Sequence, residues 1–406
     1  MLDENFIVEC EKELKNEFDK IDEQCKKNSK KVIDAFHKYK VSESDLNGTL
    51  GYGYNDEGRE KIDNIFASVL GAEAGLVRNQ FVSGSHAINV ALFALLRPND
   101  TLLTISGLPY DTLHSVIGIR ENKSSLMSYG IKYKMIDLID NDFDYKKIEK
   151  ELKNNIKVVH IQRSRGYSLR DSLTIDKLEK VIKFIKKINK EVLIFVDNCY
   201  CELVEDKSPI EVGADICAGS LIKNLGAGIA TNGGYIVGRK DLIDLCGERL
   251  TLPGEGIEVG PSENANRKFL LGIFLASSVV ASALKTAVLT SYAFEKLGYK
   301  VSPKYNEKRA DIVELIYLNN EEEIIKYCRG IQEGGAIDAH IAPIPGPMSG
   351  YEDKIIMASA SFTQGSSIEI SCDGPLRKPY VIFSQGSMTY EYGRLAVLNA
   401  INRIKE

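Results

Sequence analysis

An aspartate at the end of an apolar run and a lysine in a glycine-rich stretch are the residues of this chain best suited to chemistry together. Residues 192–196 are apolar and end at Asp197, and Lys223 lies within the small-residue segment 219–226. An enzyme that uses pyridoxal phosphate (PLP) needs this pair, because the lysine holds the cofactor covalently and the carboxylate keeps the pyridine nitrogen protonated. Each residue also has an ordinary alternative role, since Asp197 could cap a turn and Lys223 could lie on the surface.

A second segment offers a place for a phosphate group. Ser83, Gly84 and Ser85 follow a predicted strand and open a predicted helix, where backbone N–H groups and the helix dipole favour an anion. The segment matches neither a Walker A loop nor a dinucleotide fingerprint. Ser83 could instead be a simple helix cap. The ring of His86 could lie against a flat cofactor, although a packed core histidine is the alternative.

Other polar residues follow predicted strands at the same edge. Tyr110 could stack on a pyridine ring and move protons. Arg163 and Arg165 suit phosphate or carboxylate oxygens, with structural ion pairs as the alternative. Asn198 could hydrogen-bond the ring, and Ser220 could donate its hydroxyl to the phosphate. These residues extend the predicted site over several loops.

Two further segments hold arginine in a defined local setting. Arg377 lies in a proline-containing turn, where a fixed guanidinium suits a carboxylate, although a surface turn explains it equally well. A glycine-rich aromatic loop contains Tyr52, Tyr54 and Arg59. It could reach into a site of its own or of a neighbouring subunit, or it could cap the following helix.

The elements that must position these residues follow from the hydrophobic pattern. The first 50 residues predict an amphipathic helical arm. Residues 51–288 predict a large α/β domain with a mostly parallel, helix-covered sheet, in which the loops after the strands collect along one edge. Its strands are predicted at residues 74–81, 101–106, 133–136, 158–162, 192–197, 216–219 and 235–237. Residues 289–406 predict a smaller α+β domain, with strands at 299–303, 312–318, 355–358, 367–370 and 380–383.

Composition limits the class of protein. The chain has 406 residues, 44% of them hydrophobic, and a net charge of −5, which argues against nucleic acid as a partner. Eight scattered cysteines and no secretory signal predict reduced thiols in the cytoplasm, and the cysteine spacing predicts no metal site. Residues 269–284 carry no charge, but the segment is short for a membrane span and its small residues favour a buried core helix.

The order of these motifs resembles the Cys/Met-metabolism group of fold-type I PLP enzymes. The segments GYGYNDEGR, SGSHA, LPYDTL, QRSRGYS, FVDN, SLIKN and DGPLRKPY are most similar to the methionine γ-lyase-like or aluminium-resistance branch, from about residue 47 to the C-terminus. One departure is Ile222, which stands where the wider group tends to have threonine. The resemblance implies a seven-stranded sheet in the large domain and a homodimer or homotetramer with its site at the subunit interface.

The resemblance also implies a role for individual residues. Lys223 would be the PLP lysine, Asp197 the partner of the pyridine nitrogen, Tyr110 the stacking tyrosine and Arg377 the carboxylate anchor. Gly84, Ser85 and Ser220 would hold the phosphate. The loop with Tyr52, Tyr54 and Arg59 would complete the phosphate site of a partner subunit.

The expected activity is β- or γ-elimination on a sulfur-containing amino acid, with cleavage of a carbon–sulfur bond. Two alternatives stay open at this point. One is a different PLP reaction, such as replacement of the leaving group by a second nucleophile. The other is a non-catalytic stress-response protein that keeps the PLP fold.

Overall fold

The N-terminal arm is helical and folds back on its own chain. The computed structural model describes residues 2–348 and 353–406. Its first helices are α1 (Glu4–Glu13) and α2 (Lys15–Lys38). The apolar stripe of α2 packs against the main body, and Asn28 Nδ2 donates to the carbonyl of Leu203 at 2.7 Å. The predicted helical arm is therefore confirmed as to its secondary structure.

The large domain is built on a seven-stranded sheet. Its strands are β1 (Ala74–Arg78), β2 (Thr101–Thr104), β3 (Lys132–Met135), β4 (Ile156–Gln162), β5 (Leu193–Asp197), β6 (Ile216–Ser220) and β7 (Gly234–Gly238). The order across the sheet is β1-β7-β6-β5-β4-β2-β3, and β7 alone runs antiparallel to its neighbours. The predicted mostly parallel sheet is confirmed.

Helices cover both faces of this sheet. Apolar side chains of α4 (Gly84–Leu95), α5 (Asp111–Ile117) and α8 (Lys240–Leu250) form the core on one face. The other face packs against α3 (Glu57–Val69), α6 (Tyr145–Glu151), α7 (Ile175–Ile188) and part of α9 (Ala265–Lys296). With both faces covered, the central strands β5 and β6 are apolar up to their last residues, which explains why they read as continuous hydrophobic runs.

The long helix α9 joins the two halves of the molecule. By length and composition it could cross a membrane, but 67% of its most apolar window is buried by the protein. Its position confirms the expectation of a core helix. The predicted domain boundary at residue 288 falls inside this helix, so the exact boundary stays a prediction.

The C-terminal part contains a five-stranded antiparallel sheet. It is formed by β8 (Lys300–Ser302), β9 (Val313–Tyr317), β10 (Ile355–Ser359), β11 (Ser371–Pro375) and β12 (Val381–Gln385), in the order β10-β11-β12-β9-β8. The helices α10 (Glu321–Glu333) and α11 (Tyr390–Lys405) pack against it. The prediction of a strand at residues 367–370 is wrong, because this segment forms a turn that precedes β11.

Candidate active site

A cavity of about 980 Å³ lies between the large domain and the C-terminal sheet. Six of the residues predicted from the sequence line it: Gly84, Ser85, Tyr110, Asp197, Ser220 and Lys223. They come from segments that follow or end four different strands of the large sheet. The sheet topology thus brings together residues that are up to 139 positions apart in sequence, as expected for the carboxyl edge of parallel strands.

Asp197 and Lys223 lie on neighbouring elements at the floor of the cavity. Asp197 is the last residue of β5 and pairs in register with Ala218 of β6, and Lys223 follows the end of β6 by three residues. Burial raises the pKa of Asp197, and the charge of Lys223 and a hydrogen bond from Cys199 N at 3.1 Å partly offset this effect.

The lysine amine is buried beside acidic groups and an aromatic ring. Burial opposes its charge, but the negative charge that Cys199, Tyr200 and Asp197 can carry raises the pKa of Lys223 above its ordinary value. The amine is therefore a cation before it reacts with a ligand. This arrangement fits PLP. The lysine amine would hold the cofactor covalently, and the buried carboxylate would pair with the protonated pyridine nitrogen.

Tyr200 is a site residue that the sequence prediction missed. Its ring centroid lies 3.9 Å from Lys223 Nζ, and the ring also lines the cavity. Its backbone has a φ of +70°, a conformation that costs a residue with a side chain about 1–3 kcal/mol and is often found at functional sites. The only sequence signal was its position three residues after Asp197, which is too weak to interpret alone.

The first turn of α4 forms a cradle beside the end of β6. Ser83 caps the helix by accepting from His86 N at 3.1 Å, and the hydroxyls of Ser85 and Thr112 lie 2.8 Å apart at the cavity wall. A Cβ added at Gly84 would lie 2.9 Å from Ser220 Cβ, so only glycine allows this approach. The N–H groups of a first helical turn have no partner within the helix, and they favour a phosphate at this position.

The donor set therefore fits PLP. A helix N-terminus with two hydroxyl groups suits the phosphate, a buried carboxylate suits the pyridine nitrogen, and a lysine in the same cavity suits the aldehyde. Tyr110 also lines the cavity, and its backbone N–H is fixed by Gln162 Oε1 at 2.6 Å. This places an aromatic ring in the cavity, and the role of Tyr110 as the stacking residue stays a prediction.

Two predicted cofactor contacts are not made. The ring of His86 packs edge-on against Phe81, with centroids 5.7 Å apart, and it does not line the cavity. Asn198 is buried away from the cavity, where its Oδ1 accepts from Arg163 Nη1 at 3.0 Å. Both predictions are therefore corrected. In each case other residues of the protein already contact the polar or aromatic part of the side chain.

The arginines after β4 are structural. Arg163 is fully buried in an ion pair with Glu205. Arg165 is also buried, and its guanidinium faces Ser302 at 3.4 Å while its backbone N–H points to Asp311. Neither side chain lines the cavity, so the predicted role in substrate binding is wrong for both. A buried arginine needs a partner, and here the partners come from distant parts of the same chain.

Arg377 and Arg59 are also placed outside the cavity. The Arg377 side chain is 54% exposed and pairs with Asp353 at 2.8 Å, so the structure does not bring it to a substrate. Arg59 is buried and donates to carbonyls of its own chain, with Nη1 2.8 Å from Gly53 O and Nη2 3.1 Å from Glu258 O. It stabilises the loop before α3 and presents no guanidinium to a neighbouring subunit.

The two tyrosines of that loop are presented to solvent. Tyr52 is 72% and Tyr54 is 51% exposed, and their rings stack on each other with centroids 5.8 Å apart. They lie away from the cavity of their own chain. The expectation that they serve the site of a partner subunit stays a prediction.

Comparison with known proteins assigns the chain to a family. A sequence model of the family described as methionine gamma-lyase matches residues 3–405. The chain belongs to the methionine gamma-lyase family. A Bacillus subtilis (strain 168) relative, uncharacterized protein YnbB, is 44% identical over 98% of this chain and 96% of its own length.

Solved structures of family members agree with this assignment. A Listeria monocytogenes protein, provisionally described as a cystathionine beta-lyase involved in aluminum resistance, is 44% identical with a TM-score of 0.97, over 99% of this chain and all of its own. A carbon-sulfur lyase involved in aluminum resistance from Clostridium novyi NT is 43% identical with a TM-score of 0.95, over 98% of this chain and 95% of its own. The family thus supports a PLP-type carbon–sulfur lyase.

The likeness extends to more distant proteins at the level of fold. The PLP-dependent protein YhfS from Escherichia coli has a TM-score of 0.64 at 17% identity. This match confirms the predicted fold class, in which a large α/β domain carries a smaller second domain.

Proposed function

We propose that this protein is a PLP-dependent carbon–sulfur lyase that cleaves a sulfur-containing amino acid by β- or γ-elimination. The observation that carries the proposal is the joint placement of Asp197, Lys223 and the first turn of α4 around one cavity. Family membership supports the same chemistry independently.

Each of the cavity residues would have its own role toward the cofactor and the substrate. Bound PLP supplies an electron-accepting ring. Gly84, Ser85 and Ser220 would hold its phosphate, and Asp197 would keep a proton on the pyridine nitrogen. Lys223 would hold the cofactor between turnovers and, once released, take the proton from the substrate Cα.

Tyr110 would act on the leaving group. It lines the cavity beside Tyr167, with ring centroids 6.0 Å apart, so its ring orientation is fixed by an aromatic neighbour. A tyrosine hydroxyl can donate a proton to the departing sulfur as the carbon–sulfur bond breaks. With one molecule of water consumed, the products would be a thiol, ammonia and a 2-oxo acid.

The assembly and compartment are part of the same proposal. The exposed, stacked Tyr52 and Tyr54 support a homo-oligomer in which this loop meets the cavity of a neighbouring copy. All eight cysteines are free thiols, which supports a reducing, cytoplasmic environment. A small amino acid would be the substrate, with neither nucleic acid nor membrane as a partner.

The test combines spectroscopy with product release. PLP-loaded protein should show an absorbance band near the visible edge, and Lys223→Ala should lose it, whereas Lys240→Ala, which removes a surface lysine on α8, should keep it. A screen of sulfur amino acids should release thiol and 2-oxo acid only with an intact Lys223. A band without release from any sulfur amino acid would favour a non-catalytic protein or another PLP reaction. A reaction that consumes a second nucleophile and releases no 2-oxo acid would indicate replacement.

A further inference from the structure

A smaller cavity, of about 170 Å³, lies between the loop that follows β4 and the loop that joins β8 to β9. Its walls belong to residues 165–177 of the large domain and residues 303–311 of the C-terminal part, and it shares no lining residue with the active-site cavity. Pro303 and Ala310 are the two apolar residues among the described residues that line it. So polar a lining suits a charged ligand, and the volume lies below the range typical of drug-sized ligands.

Arg309 is a buried cation of this lining whose hydrogen-bonding capacity is only partly used. Its side chain is 6% exposed, and Nη2 donates to Glu314 Oε2 at 2.7 Å. Its Nε and Nη1 have no hydrogen-bond partner among the residues that the structure describes. A buried N–H group without an acceptor is unfavourable, so an oxygen atom supplied by a ligand would stabilise it.

Arg165 lies in the same lining and has no acidic partner for its guanidinium. It is 2% exposed, and its backbone N–H and the contact of Nη1 with Ser302 at 3.4 Å connect it to the C-terminal part. Its Nε has no hydrogen-bond partner, and within the described parts of the chain no carboxylate forms an ion pair with it. A buried guanidinium without a counter-ion is unfavourable unless a ligand compensates its charge.

The acidic residues of the lining do not cancel this positive charge. Among the described lining residues, four are basic and three are acidic. Asp311 accepts hydrogen bonds from the Ser172 hydroxyl and from two backbone N–H groups, so both of its carboxylate oxygens are engaged. Glu307 accepts from Lys304 N at 2.8 Å and is exposed to solvent, and Asp171 is half-buried. The cavity therefore favours an anion over a cation.

Lys177 and the start of α7 add positive potential. The Lys177 amine donates to the carbonyl of Asn141 at 2.6 Å and forms no ion pair with a described residue. Thr174, the N-cap of α7, also lines the cavity, so the positive end of this helix lies beside it. Lys308 already forms two ion pairs and is exposed at the rim, where a small ion can enter from solvent.

We propose that this cavity is a binding site for a small oxyanion, with Arg309 and Arg165 as hydrogen-bond donors and Lys177 as a further positive charge. The ligand is an ion or compact molecule that carries a phosphate or carboxylate group, because the negative oxygens of both groups accept hydrogen bonds from guanidinium. This inference goes beyond the proposed function and does not depend on it.

The proposed site lies directly behind one wall of the active-site cavity. Arg165 immediately precedes Gly166 and Tyr167, which line the active-site cavity. A bound anion would link residues 165–177 to residues 303–311. Its binding would therefore stabilise the contact between the large domain and the C-terminal part, and with it the folded chain.

The test measures anion binding through the thermal unfolding of PLP-loaded protein, in which the cofactor phosphate would occupy the first turn of α4. Inorganic phosphate and malonate are the two probes, and sodium chloride at equal ionic strength corrects for screening. At least one probe should raise the Tm of wild-type protein saturably above the chloride value, and the concentration dependence gives its Kd. The probe that binds more tightly shows which anionic group the site prefers.

Removal of the positive groups should weaken binding. Arg309→Gln combined with Glu314→Gln removes the guanidinium without leaving a buried carboxylate unpaired, and it should weaken the better probe about 10- to 100-fold. Lys177→Gln keeps both arginines and should weaken that probe about 2- to 5-fold, as expected for the loss of a partly exposed charge. Arg403→Gln is the control with one positive charge removed, because Arg403 pairs with Glu333 on the surface, and it should keep the wild-type affinity.

Two results would overturn the inference. One is a Tm that rises no more with either probe than with sodium chloride. The other is a wild-type affinity in the double variant, or in Lys177→Gln if the double variant does not fold. Neither measurement involves turnover, so the outcome is independent of whether the protein cleaves a sulfur amino acid.

Discussion

Replacing Glu202 with glutamine should make the protein more stable at alkaline pH. Glu202 lies behind the lysine site and is 1% exposed. Tyr235 OH donates to its Oε1 at 2.9 Å, but Oε2 has no partner among the described residues. Burial raises the pKa of this carboxyl from 4.5 to about 7, and the Tyr235 hydrogen bond and the charge of Lys223 offset only part of this effect.

The sign and size of the effect follow from proton linkage. Because the folded protein holds the Glu202 proton more tightly than the unfolded chain, stability is greatest at low pH and falls as the pH rises from about 4.5 to about 7. Each unit of pKa difference corresponds to about 1.4 kcal/mol, so the total loss is about 3 kcal/mol. Glutamine keeps an acceptor for Tyr235 and carries no titrating proton, so Glu202→Gln should lack this part of the pH dependence.

Thermal unfolding of cofactor-free protein at equal concentration measures the difference. At pH 5 the two proteins should differ little, and by pH 8 the variant should gain about 2–3 kcal/mol relative to wild type. For a chain of this length that corresponds to about 3 °C in Tm. Glu149→Gln, at an exposed position on α6, should show no such trend. A gap between wild type and Glu202→Gln that stays constant from pH 5 to pH 8 would refute the argument.

Two further substitutions test how the cavity is built. Gly84→Ala should weaken PLP binding about 10-fold, because the added Cβ would lie 2.9 Å from Ser220 Cβ and push the first turn of α4 outward. An unchanged PLP affinity in an absorbance titration would contradict the proposed phosphate cradle. Arg377→Ala should leave the KM for an active sulfur amino acid within about 2-fold of the wild-type value, because the guanidinium pairs with Asp353 at the surface. A large rise in KM would support the carboxylate-binding role that the family resemblance implies.

The sequence was sufficient for the elements of the large domain. Strands β5 and β6 are apolar runs that end in polar or small residues, so the local sequence shows where each strand lies and where it ends. The parallel arrangement of β4 and β5 follows from α7, which lies between them in the sequence. Asp197 and Lys223 could be predicted because each stands out within its own segment, and the topology then required them to meet.

The arginines show why the same reasoning failed elsewhere. Local sequence indicated that a guanidinium at a strand end needs an anionic partner, but it could not say which one. Arg163 finds Glu205, which lies 42 residues later in the chain and is also buried. Such ion pairs depend on how distant loops pack, and the hydrophobic periodicity of the sequence does not predict them. Only the tertiary structure shows whether such a charged side chain binds a ligand or pairs with another residue of the protein.

The difference between the two walls of the cavity has the same origin. On the cofactor wall, a general rule collects the loops after parallel strands at one edge, so residues there can be found from strand predictions alone. The opposite wall is formed by an antiparallel sheet, where neighbouring side chains alternate between faces and a one-residue error in a strand reverses them. The prediction of a strand at residues 367–370 was an error of this local kind, because β11 begins only at Ser371, four residues later. The residues that line the cavity from the large domain could therefore be predicted from this sequence, whereas those on the opposite wall depend on a strand register that only the folded chain defines.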